Sequence, residues 1–155
     1  MTEPRLALDD LDFMKALLDV VIPPSENLPG AGALDLAPTV ASALQGDPML
    51  GPVVETGAQA VREAALSQHP EGLPGMAPQA GAKVVEAQVG AHPLLILGIL
   101  RYLYPAYYQH PRVLEGIGEP PRPPFPEGFE VEATDAELLE KLRARRKVSG
   151  LKIDP

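Results

Sequence analysis

Leu94-Leu95-Ile96-Leu97-Gly98-Ile99-Leu100-Arg101-Tyr102-Leu103-Tyr104-Pro105-Ala106-Tyr107-Tyr108 is the most continuously apolar segment of the chain, and it holds all four of its tyrosines. It reads as a central helix. Pro93 stands where a first helical residue needs no N–H, and His92 before it is placed to cap. A helix apolar on every face has to be wrapped by others, so burial is expected. A membrane span is the rival reading, but crossing a bilayer takes about 20 apolar residues. This run meets Arg101 after seven residues and Pro105 four later. Pro105 removes one backbone hydrogen bond and crowds the carbonyl of Arg101, which predicts a kink. Tyr104, Tyr107 and Tyr108 fall at i, i+3 and i+4, so their phenols are expected on one face. That cluster is either the rim of a core or a partner-binding patch.

Working outward, 155 residues suffice for one domain with one real core. Alanine and leucine abound and aromatics are only 5%, which leans helical, while 19 prolines and 14 glycines require several connections and a long irregular segment. A net charge of −8 argues against the broad basic face that nucleic acid demands. Without cysteine there is no disulfide, thiolate nucleophile or thiolate metal site. Met1-Thr2-Glu3-Pro4-Arg5-Leu6 lacks a basic region followed by an apolar core, so export of the chain by itself is not expected.

In chain order, Leu8 to Ile22 places Leu11, Met14, Leu17, Leu18 and Val21 on one helical face, with Asp9, Asp10 and Asp12 at the positive end of the helix dipole. Pro23-Pro24 stops that helix. Ser25 to Leu34 is turn-forming, and Asp35 is the expected N-cap of a second helix running to Leu44. A third, about Val53 to Gln68, has only Val54, Ala58, Val61 and Ala65 inward, a thin stripe that suggests a peripheral place. His69 to Gly75 reads as loop. A fourth helix opens at Ala77-Pro78 and ends near Gly90, a candidate C-cap. After the central helix, a short turn through Arg112 to Gly118 leads to Glu119-Pro120-Pro121-Arg122-Pro123-Pro124-Phe125-Pro126. Five prolines in seven residues dictate polyproline II, either a stiff spacer or an arm laid on another protein through Arg122 and Phe125. Thr134 and Glu137 form a capping box, Glu137 and Lys141 an i, i+4 pair, and Arg143, Arg145, Arg146 and Lys147 a basic helix end.

No catalytic pattern accompanies these elements. His69, His92 and His110 each precede a proline and carry no metal-ligand spacing. Glycine-rich phosphate loops and the GxSxG elbow are missing as well. The expectation is no catalytic, cofactor or metal residue in this chain.

The order of segments nonetheless resembles one family. Leu17-Leu18-Asp19-Val20-Val21-Ile22-Pro23-Pro24, then Leu28-Pro29-Gly30-Ala31, then Tyr107-Tyr108-Gln109-His110-Pro111-Arg112-Val113, then Pro123-Pro124-Phe125-Pro126-Glu127-Gly128 is similar to the gluconate 2-dehydrogenase subunit 3 family. The resemblance implies a small non-catalytic accessory subunit that binds a large flavin-dependent dehydrogenase of the glucose-methanol-choline type. That partner would hold the FAD and oxidise a sugar or alcohol, and in many such complexes a cytochrome c subunit takes the electrons. By the same resemblance, Tyr107, Tyr108, Pro111 and Arg112 match the family's motif after the central helix. With Tyr104, Arg122, Pro123, Pro124, Phe125 and Pro126 they make the expected partner interface. Family members often carry a twin-arginine export signal. This start does not, so the expected location is cytoplasmic, and periplasmic only where a partner bears the signal.

The expected architecture is therefore all-α: five or six helices in one domain around the central helix at about 93–108. The helical part covers 1–118, the proline-rich arm 119–133, and a C-terminal helix with its tail 134–155. The competing reading is a stand-alone helical protein that self-associates or holds a small apolar ligand between helices, with Tyr104 and Tyr107 lining the pocket.

Overall fold

Asp10 opens the first helix, its carboxylate accepting the N–H of Phe13 at 3.2 Å, and α1 runs Leu11–Val21. Pro23 and Pro24 come after its end, as their missing N–H groups require. The computed structural model describes residues 6–121 together with Glu137, Glu140, Lys141 and Arg143. Five more helices complete the described body: α2 (Ala37–Gln45), α3 (Gly51–Leu66), α4 (Pro78–Val89), α5 (Leu94–Tyr108) and α6 (Pro111–Gly116). Short 3₁₀ turns occupy Ala7–Asp9, Ala31–Leu34 and Leu73–Gly75. The fold is all-α, with no strand among the described residues.

Each of the longer helices turns an apolar stripe to a shared core. Leu17 and Leu18 of α1, Val40 and Leu44 of α2, Val61 of α3 and Ile99 of α5 are all sealed from solvent. Among the described residues no polar or charged side chain is buried. Burying a side chain of this size stabilises by about 1.5–3 kcal/mol. The fold thus rests on hydrophobic packing, with hydrogen bonds fastening its joints.

Helix α3 is not peripheral. It packs along both α4 and α5, and Val54, Ala58, Val61 and Ala65 are fully buried. Its small side chains are what let α5 come close: a Cβ on Gly57 would stand 3.1 Å from the Cβ atoms of His92 and Leu95. On the opposing helix, a Cβ on Gly98 would collide with Cγ2 of Val54. Proximity here substitutes for side-chain bulk, which a count of large residues does not register.

Two expected caps belong elsewhere. Asp35 has left-handed backbone angles (φ 51°, ψ 28°) and closes the turn Ala31–Leu34, so α2 begins from Leu36 without a side-chain cap. His92 offers only its carbonyl, to the N–H of Leu95 at 3.0 Å, and Pro93 takes the N-cap position. Gly90 does close α4, but in a right-handed conformation.

Distant elements are fastened by single carboxylates. Glu55 of α3 accepts the N–H groups of Ala7 at 2.6 Å and Leu8 at 3.0 Å, which pins the first 3₁₀ turn to the body. Asp19 of α1 accepts the N–H of Gly32 at 2.8 Å and so seats the turn Ala31–Leu34 on α1.

Residues 1–122 form one unit and 123–155 a second. In the second, Glu137 and Lys141 form the expected i, i+4 ion pair at 2.7 Å within helical backbone. Thr134, Arg145, Arg146, Lys147 and the proline-rich segment from Arg122 to Pro126 lie outside the described residues.

Candidate functional site

Helix α5 presents two unlike faces. Leu95, Gly98, Ile99, Leu103 and Tyr107 point inward and are buried. The other face is open: Leu94 is 42% exposed, Leu97 64%, Tyr104 47% and Tyr108 50%, with exposed Arg101 in their midst. The expectation of a helix wrapped on all sides is thereby corrected, because neighbours cover only one side. The segment is apolar all round, so its hydrophobic pattern carries no mark of which side would be left bare. The helix continues through Pro105, which lies on the exposed side.

Two phenols lock the helix in this orientation. Tyr102 donates its hydroxyl to Oδ2 of Asp47 at 2.7 Å, and Tyr107 donates to the carbonyl of Pro29 at 2.8 Å. The Asp47 carboxyl is held below its ordinary range by the N–H of Leu50 first, then by the Tyr102 hydroxyl and the N–H of Met49. Arg101 adds a weaker attraction of the same sense. Burial pushes the Tyr107 phenol up, and the neighbouring Tyr108 adds to that rise.

The tyrosine cluster therefore divides. Tyr107 is only 1% exposed and belongs to the core, which corrects its expected place at an interface or in a ligand pocket. Tyr104 and Tyr108 stand outside, their rings edge-to-face with centroids 5.8 Å apart, and Tyr108 meets the Tyr107 ring in the same manner at 5.2 Å. Arg101 lies beside the ring of Tyr102, 5.8 Å from its centroid. Pro111 and Arg112 are exposed at the start of α6, beyond the end of the stripe. Leu94, Leu97 and Arg101 are the residues the sequence reading missed. Their signal is Arg101, the one charged residue of the segment, which turns the positions three, four and seven residues from it to solvent.

Two of the histidines are local fasteners. Nδ1 of His69 accepts the N–H of Glu71 at 3.2 Å, and Nδ1 of His110 accepts the N–H of Arg112 at 3.3 Å, each reaching across its adjoining proline. Among the described residues, no three His, Cys, Asp or Glu side chains gather to hold a metal ion.

A cleft of about 610 Å3 opens between α1, the end of α3 and the turn Leu73–Gly75. Asp10, Asp12, Asp19 and Glu71 line it with Lys15 and Arg62, over a floor that includes Phe13 and Leu73. Tyr104 and Tyr107 take no part in it. Several of its charged groups are already engaged, Asp19 with Gly32 and Asp10 with Phe13 and, at 3.9 Å, Arg62.

The α5 stripe thus gathers aliphatic and aromatic side chains around one guanidinium on a helix anchored from behind. Among the described residues no single helix is long and apolar enough to cross a membrane, and α4 and α5 reach that length only as a pair bent by 118°. No family model, no curated protein and no solved structure matches the chain.

Proposed function

We propose that this chain is a non-catalytic accessory subunit that binds and stabilises a large flavin-dependent dehydrogenase of the glucose-methanol-choline type, acting on a sugar or alcohol. The observation that carries the docking part of this reading is the bare stripe of Leu94, Leu97, Tyr104 and Tyr108. Large apolar and aromatic side chains in a contiguous exposed row mark association surfaces, and tyrosine is enriched where binding energy concentrates. The nature of the partner rests on the segment order that resembles the gluconate 2-dehydrogenase subunit 3 family. In this reading the FAD sits on the partner, a cytochrome c subunit takes the electrons in those complexes that have one, and the complex is cytoplasmic unless the partner carries an export signal.

The test is to look beside this gene for a flavoprotein of the glucose-methanol-choline type and to co-express the two; a neighbourhood without one counts against the proposal. The two proteins elute as one species in size-exclusion chromatography, and the double variant L97D/Y104D separates them while its circular dichroism and melting temperature stay as in the parent. Each exposed side chain so replaced weakens association by about 2 kcal/mol, the scale of a hot spot, so the double variant loses roughly a thousandfold in affinity. Separate elution of the unaltered proteins, or full association of the variant, would overturn the proposal.

A further inference from the structure

The steps between Leu94, Leu97, Arg101, Tyr104 and Tyr108 run three, four, three, four. That is the seam spacing of a coiled coil, with 94, 101 and 108 as one class of seam position and 97 and 104 as the other. In α5 this seam faces solvent along its whole length, about 21 Å at 1.5 Å per residue. The partner geometry that fills such a spacing is a second helix.

Charge narrows the occupant. Residues 87–114 contain Arg101 and Arg112 and not one aspartate or glutamate, although the chain has 21 acidic residues and a net charge of −8. The acidic group that α5 meets from another element, Asp47, feels Arg101 only weakly and is engaged by Tyr102 and the N–H groups of Met49 and Leu50. The only charged side chain within the stripe is Arg101, at its centre, exposed and resting 5.8 Å from the Tyr102 ring. A polar residue at one central seam position sets register and partner at some cost in stability. In a symmetric pairing of two copies of this chain, Arg101 would approach its own mate. Like charges brought together in a closing interface select against that pairing.

We propose that the occupant of the α5 stripe is an amphipathic helix of another protein, apolar at seam positions and carrying a carboxylate opposite Arg101. The guanidinium grips both oxygens of that carboxylate as the apolar rows close around it. Leu94 and Leu97 supply the apolar half of the contact, Tyr104 and Tyr108 the aromatic half, and Arg101 the selectivity. This rests on the reading of the stripe as a docking face, but it is tested without the flavoprotein.

The probes are three labelled 21-residue synthetic helices with leucine or isoleucine at every seam position except the central one, which is Glu, Gln or Lys. Fluorescence anisotropy with the full chain gives binding of the Glu peptide roughly tenfold tighter than the Gln peptide and tighter again than the Lys peptide. The variant Arg101→Glu reverses the order, preferring Lys to Glu, with an unchanged circular dichroism spectrum. Equal binding of the three peptides, absence of binding, or an order that Arg101→Glu leaves intact would overturn the proposal. So would a dimer of the chain alone in sedimentation equilibrium that L97D dissociates, or L97D-sensitive co-sedimentation with phosphatidylglycerol-phosphatidylcholine vesicles. Co-elution with the flavoprotein that survives Arg101→Glu but not L97D/Y104D would leave the accessory role standing and remove only the carboxylate.

Discussion

Gly32→Ala is expected to cost about 3 kcal/mol, the upper end of what overpacking does, and to lower the melting temperature by roughly 10 °C in a chain of this length. The added methyl would collide with the carbonyl oxygen of Lys15 and stand 2.7 Å from Oδ2 of Asp19. The first obstacle is main chain inside α1, which cannot rotate aside. The second belongs to the carboxylate that holds the Gly32 N–H at 2.8 Å, so making room also loosens the bond that seats the turn. At Gly98 the obstacle is a side chain, Val54, and the same substitution there costs less. Urea unfolding of the two variants decides the matter. Equal losses at both positions would mean that the turn Ala31–Leu34 lifts off α1 without penalty.

Tyr107→Ala is expected to destabilise by about 4 kcal/mol, the usual cost of removing a buried aromatic ring. Tyr104→Ala and Tyr108→Ala should each stay within about 1 kcal/mol, since exposed rings contribute mainly their edge-to-face contacts. Tyr107→Phe keeps the ring but leaves the Pro29 carbonyl without its donor, at about 1–2 kcal/mol. The hydroxyl also imposes an alkaline limit. Because burial raises the folded phenol above its ordinary value near 10, the unfolded chain gives up that proton first. The stability it confers is intact below that ordinary value and is lost as pH rises through the folded one. Tyr107→Phe should therefore flatten the fall in stability above about pH 10. A slope unchanged by the substitution would assign the alkaline loss to other groups.

The helices themselves were legible because their ends are written in strong local chemistry. Asp10 ahead of an apolar period starts α1, Pro23-Pro24 prevents its continuation, and Gly90 closes α4, all through the nearest few residues. Asp35 misled for a related reason: its side chain suits an N-cap, but aspartate is also one of the few residues at ease with φ 51°. The rank of α3 was hidden because alanine and glycine count for little in apolar area, and their value depends on what the opposing helix places against them. Gly57 and Gly98 acquire meaning only once α3 and α5 are side by side.

The exposed stripe proposed for docking was partly legible. Tyr104 and Tyr108 were in view as candidates, yet three tyrosines at i, i+3 and i+4 do not say which one the core will take. Pro29, 78 residues away from Tyr107, decides it by offering a carbonyl. Leu97 is the most exposed aliphatic residue of α5 and looks, in sequence, like every other leucine of that run. Its exposure follows from the position of Arg101, the one charge in an apolar segment, which turns this side of the helix to solvent.

The clasp that Glu55 makes on Ala7 and Leu8 also sets an order of events during synthesis. Those two amides leave the ribosome ahead of the carboxylate that receives them, which follows 48 residues behind the earlier one. At about 5–20 residues per second, the nascent end waits several seconds for its receptor. The turn Ala7–Asp9 is thus made well before its fastening is, and it settles only once α3 has emerged.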